Sequence, residues 1–148
     1  MKTARRRARE FAMQGIYEWQ LNPDRVASTI EKHLRENDYF AKADEALFRT
    51  ILFGVLKDVE TLSAMLARHY ERSPDDVSPV ERAVLLMAAL ELTQHQETPY
   101  PVIINEAIEI AKTFGGTDGH KFVNGVLDKL AAEVRPEEFA SGRTRRQS

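Results

Sequence analysis

The sequence predicts an all-α protein of six or seven helices, and three observations predict it. Apolar residues recur at helical spacing from Thr3 to about Val134, the pattern of helices that each turn one face inward. No stretch sustains the apolar and polar alternation of a strand. Helix-start chemistry stands where the stripes begin, most completely at Ser78-Pro79-Val80-Glu81, where a capping box and a proline at the first helical position coincide. With 148 residues, 43% of them hydrophobic, the chain is long enough for one domain with a real core. That domain is placed at residues 1–136, with an N-terminal half at 1–72 and a C-terminal half at 78–136. Residues 137–148 read as a basic, disordered tail.

The elements follow in order. From Thr3 to Trp19 the positions Ala8, Phe11, Ala12, Ile16 and Trp19 form one stripe, with Gly15 on the same side admitting a close neighbour. Asn22-Pro23 is a helix-start signal; the short helix after it turns Val26, Ala27, Ile30 and Leu34 inward. A long amphipathic helix is predicted from Asp44 to Tyr70, and Ser73-Pro74-Asp75-Asp76 marks the boundary between the halves. From Ala83 to Leu90 the next helix is apolar almost all round, so other helices must enclose it. Glu91 in that setting requires a partner, because a buried, unpaired charge is costly. Two further helices meet at Gly115-Gly116, with Ile103, Ala107, Ile110, Ala111 and Phe114 inward before the corner and Val123, Val126, Leu127 and Leu130 after it. Gly115 suits a left-handed helix end, and Asp118 suits the cap of the following helix.

Composition excludes several functions. The chain has no cysteine, which removes disulfides and thiol chemistry together. Its four histidines, His33, His69, His95 and His120, stand singly, without the paired spacing of a helical metal site. No phosphate-loop pattern occurs, and Gly115-Gly116 lacks the flanking strand of a dinucleotide site. Glu106 and Glu109 read as a solvated or salt-bridged face rather than an acid-base pair. The sequence therefore predicts no enzyme, no metal and no cofactor. No apolar run has the roughly 18 residues that span a bilayer, so the expected location is the cytoplasm.

Charge carries the positive signal. Net charge is −2, yet residues 1–9 hold five basic residues and no acid, and Arg143, Arg145 and Arg146 lie near the other end. Residues 10–142 hold 13 basic against 23 acidic residues, a net −10. Arg5, Arg6, Arg7 and Arg9 sit in the first turns of their helix, where the macrodipole favours acids by about 0.3–1 kcal/mol per charge. Guanidinium forks there match phosphate oxygens. At the corner, Phe122 offers a face on which an unpaired base can stack, beside Lys121 and Asp118. A simpler reading of the same residues makes Phe122 core and Asp118 only a cap.

These residues carry a resemblance. RRRAREFAMQGIYEWQ, SPVERAVLLMAALEL and INEAIEIAKTFGG followed by HKFVNGVLDKL are together similar to the NusB transcription antitermination factors, over residues 2 to 136. The resemblance implies two packed three-helix bundles and no catalysis. It implies an RNA-binding factor that pairs with the ribosomal protein NusE, recognises single-stranded boxA-type RNA during ribosomal RNA transcription, and joins the elongation complex through other Nus factors. It carries phosphate contacts to Arg5, Arg6, Arg7 and Arg9, base contacts to Asp118 and Phe122, and the protein-partner surface to Tyr17 and Glu81. The module also resembles the N-terminal domain of some ribosomal RNA cytosine methyltransferases, but no cofactor-binding domain follows it here. The alternative function is a protein-protein adaptor with incidental RNA affinity.

Overall fold

The computed structural model describes residues 2–116 and 118–147, with side chains to residue 141. Met1, Thr117 and Ser148, and the side chains of the tail residues Arg143, Arg145 and Arg146, lie outside the described set. Eight α-helices are present among the described residues, two more than the lower expectation. They are α1 (Ala4–Leu21), α2 (Ala27–Arg35), α3 (Glu45–Lys57), α4 (Val59–Ala67), α5 (Pro79–Gln94), α6 (Tyr100–Phe114), α7 (Gly119–Val134) and α8 (Pro136–Gln147).

Each start is local chemistry where the sequence supplies it. The Thr3 hydroxyl accepts from Arg6 N at 3.0 Å, and the Asp44 carboxylate accepts from Leu47 N at 3.1 Å. At Ser78 and Glu81 both halves of the capping box form, at 3.1 and 2.9 Å. Asn22-Pro23 does not start a helix. Asn22 instead closes α1, its N–H donating to Glu18 O and Trp19 O, and α2 begins five residues later behind Val26. Val26 is consequently 61% exposed rather than inward. The long helix expected from Asp44 to Tyr70 is two helices. It breaks at Asp58, whose φ of −113° and ψ of 22° leave the helical region, and whose N–H closes α3 while its C=O opens α4.

Helix α5 is the axis of the molecule. Every residue from Ala83 to Leu92 is buried, enclosed by α1, α3, α4, α6 and α7. One continuous core therefore runs through both halves. Gly15 does admit a close neighbour, since a Cβ there would lie 2.9 Å from Leu52 Cδ1 and 3.2 Å from Ile30 and Leu34. A 3₁₀ turn at Phe40–Lys42 sets Phe40 edge-on between Phe11 and Phe48, at 5.2 and 5.0 Å between centroids.

The corner has the expected residues in different conformations. Gly115 ends α6 at φ −93°, ψ −178°, which is not left-handed. Its need for glycine is steric, because a Cβ would come 2.7 Å from the backbone oxygen of Ala111. Asp118 precedes α7 without capping it, and its carboxylate lies instead 3.5 Å from Lys121 Nζ. Phe114, expected inward, is 37% exposed.

The chain does not become irregular at residue 137; it continues as α8. Between α7 and α8 the Arg135 guanidinium is buried against the end of α5 and the loop after it. It donates to the carbonyls of Leu92, Thr98, Glu91 and His95 at 2.6–3.1 Å and to Glu138 at 2.9 Å. Arg135-Pro136 thus ends one helix and adds donors to carbonyls at the end of another and in the loop after it. Glu138 then accepts from Tyr100 N at 2.9 Å, and Phe139 packs 5.4 Å from the Tyr100 ring.

Candidate nucleic-acid interface

The arginines of α1 divide by helix face. Arg6 and Arg9, three apart and so neighbours on the helix surface, turn inward. Arg9 is 3% exposed and forks onto Glu91, with Nε to Oε1 at 2.8 Å and Nη2 to Oε2 at 2.9 Å. It also reaches Glu106 at 3.4 Å. Arg6 forks onto the same Glu106, one bond at 2.9 Å and the second shorter. These are the partners that Glu91 required and that the basic run lacked locally. Arg6 and Arg9, expected as phosphate contacts, thus already hold carboxylates in their guanidinium forks.

The electrostatics agree with the geometry. Burial by itself pushes the Glu91 carboxyl up, but hydrogen bonds from Arg9 and His95 more than offset it and hold the pKa below the ordinary range. Glu106 is held low first by its hydrogen bond from Arg6, against a smaller opposing effect of burial.

Arg5 and Arg7 remain outside. Arg5 is half-exposed, with only a loose 3.8 Å approach to Asp44. Arg7 makes no ion pair among the described residues; its guanidinium lies 5.5 Å from the ring centroid of Tyr39, as does Lys42 Nζ. Lys2 reaches Glu10 at 2.7 Å. Tyr39 was not legible as a site residue, because the loop that carries it has no periodicity. Its signal was an aromatic residue flanked by Asn37, Asp38 and Lys42 outside any apolar stripe.

Around the corner the residues form a second group. Lys121 and Asp118 are both well exposed and face each other. Phe122 is half-buried: its ring lies 5.5 Å from Tyr70, and the Arg72 guanidinium sits over it at 3.8 Å from the centroid. The expected open platform therefore already carries a cation, and Arg72 is a residue that sequence reasoning missed. Arg72 is itself held by Glu81 at 3.4 Å. Glu81, expected on a partner surface, is 6% exposed, closing the capping box and lying 3.2 Å from where a Cβ on Gly119 would be. Tyr17 is half-buried on α1. The two groups line separate hollows, one including Arg7 and Phe114, the other Lys121, Phe122 and Lys129.

Among the described residues no cluster of three or more His, Asp or Glu could hold a metal ion, and no helix is long and apolar enough to cross a membrane. The described residues thus form an all-helical body built on one axis, with cationic and aromatic side chains on its surface. The NusB family model matches residues 6–132. The chain is 82% identical over 146 residues to the transcription antitermination protein NusB of Chromobacterium violaceum, covering 99% of this chain and 98% of that one. It is 70% identical to the Laribacter hongkongensis protein of the same name over its full length and 89% of the relative, and 55% identical to that of Neisseria meningitidis serogroup B, covering 93% and 97%. The solved structure of T. maritima NusB superposes with a TM-score of 0.79 at 33% identity, covering 95% of this chain and 99% of the other. The chain belongs to the NusB family of transcription antitermination factors, which are not enzymes.

Proposed function

We propose that this protein is an RNA-binding antitermination factor that acts in the cytoplasm, pairs with ribosomal protein NusE and recognises single-stranded boxA-type RNA during ribosomal RNA transcription. Other Nus factors connect the pair to the elongation complex. The observation that carries the reading is the division of the α1 arginines. Arg6 and Arg9 fasten α1 to α5 and α6, which leaves Arg5 and Arg7, with Lys42, as a cationic edge on an otherwise acidic body. Phosphate contacts belong to that edge, and Lys121, Asp118 and Phe122 with Arg72 add base and backbone contacts at the corner. Arg6 and Arg9 support RNA by holding the helix that displays the edge. In the same way Glu81 positions Arg72, while Tyr17 faces the protein partner.

Filter binding of a boxA-type single strand, with and without NusE, tests this. The double variant Arg5→Ala, Arg7→Ala is expected to weaken binding and to flatten its salt dependence, each lost phosphate contact removing about 0.7 from the slope on a single strand. Unchanged affinity and slope would refute the phosphate role. Partner binding that persists while RNA never enters the complex would favour a protein adaptor instead.

A further inference from the structure

A hollow of about 400 Å³ lies between the first half of α1, the turn before α3 and the end of α6. Its size is in the range of small-ligand sites, roughly 300–1,000 Å³. Two partly exposed aromatic rings stand in its lining: Tyr39 at 57% exposure and Phe114 at 37%. Leaving such rings in water forgoes the stabilisation that their burial would bring. Two cations flank Tyr39, Arg7 and Lys42, each 5.5 Å from the ring centroid. Two amides, Gln14 and Asn37, share the lining with Phe11 and with Glu10, whose charge is met by Lys2 at 2.7 Å. The Asn37 Oδ1 already accepts from Tyr39 N at 2.8 Å, which leaves its NH₂ to donate outward. The Gln14 amide has no hydrogen-bond partner among the described residues.

We propose that this hollow is a pocket for one unpaired base of single-stranded RNA. Tyr39 and Phe114 stack on the base, Gln14 and Asn37 bond its edge, and Arg7 and Lys42 hold the adjoining phosphates. The proposal rests on the RNA-binding reading above and deepens it, by adding a base site on the α1 side to the one at Phe122. Charge complementarity selects the occupant. An apolar peptide side chain would use the rings but leave Arg7 without an anion, whereas a nucleotide brings a flat ring, a polar edge and a phosphate together. Asn37, being oriented as a donor, favours a base that presents a carbonyl or ring-nitrogen acceptor.

The test uses the full chain and a short, fluorescein-labelled boxA-type RNA, read by fluorescence anisotropy over a range of salt. Tyr39→Leu with Phe114→Leu removes both rings and no charge. The dissociation constant should rise about tenfold or more, with the salt slope unchanged. Arg7→Gln should instead lower the slope. Thermal melts establish that each variant is folded, and if the ring variant is not, photocrosslinking of wild-type protein to the same RNA carrying 4-thiouridine replaces it, with adducts expected on Tyr39 or Phe114. Wild-type affinity in the ring variant, or adducts only elsewhere, overturns the pocket. If Lys121→Gln with Phe122→Leu abolishes binding while the ring variant retains it, RNA binding stands and this pocket alone falls. Should the ring variant lose only a basic protein partner, the hollow is a protein site and the proposal is refuted. Failure of wild-type protein to bind RNA removes both readings.

Discussion

Truncating Arg9 would leave Glu91 charged, desolvated and without its fork, and breaking a buried pair from one side costs about 3–5 kcal/mol. Arg9→Ala is therefore expected to lower the urea midpoint severely, whereas Arg7→Ala should leave it within about 0.5 kcal/mol of wild type. Equilibrium unfolding of the two proteins separates a structural arginine from a surface one two residues away. The sequence made the need visible at Glu91 and the supply visible at Arg9, but the residues are 82 apart and nothing local joins them. For the same reason a run of arginines at the positive end of a helix reads as a phosphate site: the acids that neutralise half of it arrive from α5 and α6. Phe122 shows the converse, its stacking face being legible and its occupation by Arg72 not.

Elements were legible in proportion to how local their determinants are. The start of α5 is written in four consecutive residues and forms as they specify. Ser78→Ala should accordingly cost about 1 kcal/mol, measured as a shift of the thermal midpoint. The break between α3 and α4 was hidden because the apolar stripe continues across Asp58, and periodicity reports which face is inward rather than whether the backbone is unbroken. At the corner the two glycines should differ. Gly115→Ala drives a Cβ against the Ala111 carbonyl and is expected to destabilise by about 1–3 kcal/mol. Gly116→Ala, with nothing within 4 Å and no positive φ, should be neutral or slightly stabilising, by up to about 1 kcal/mol. Parallel denaturation of the pair tests whether sterics or handedness fixes this turn. The helix after Arg135 was missed because its composition is polar, while its attachment depends on Glu138 and Phe139 meeting Tyr100 from the preceding hairpin.

The network of Arg6, Arg9, Glu91 and Glu106 ties the first helix of the chain to the two helices at its centre, so its titration is a property of the whole molecule. Glu91 and Glu106 have folded pKa values below their unfolded ones. Their stabilisation is present above the ordinary glutamate value of about 4.3 and is lost as pH falls through the lower folded values. Urea midpoints taken from neutral pH into acid should fall over that window. Glu91→Gln with Glu106→Gln should start lower and fall less. An equal acid loss in that variant would place the sensitive groups elsewhere.

Because α5 belongs to the packing of both halves, the exposed turn at Pro74–Asp76 connects them covalently without being what holds them together. A protease cutting there would leave a nicked molecule that migrates as one particle until denatured. Pieces made separately would each bare raw apolar flanks, aggregating alone and reconstituting when mixed. The connecting turn is thus a natural place to split the molecule for complementation.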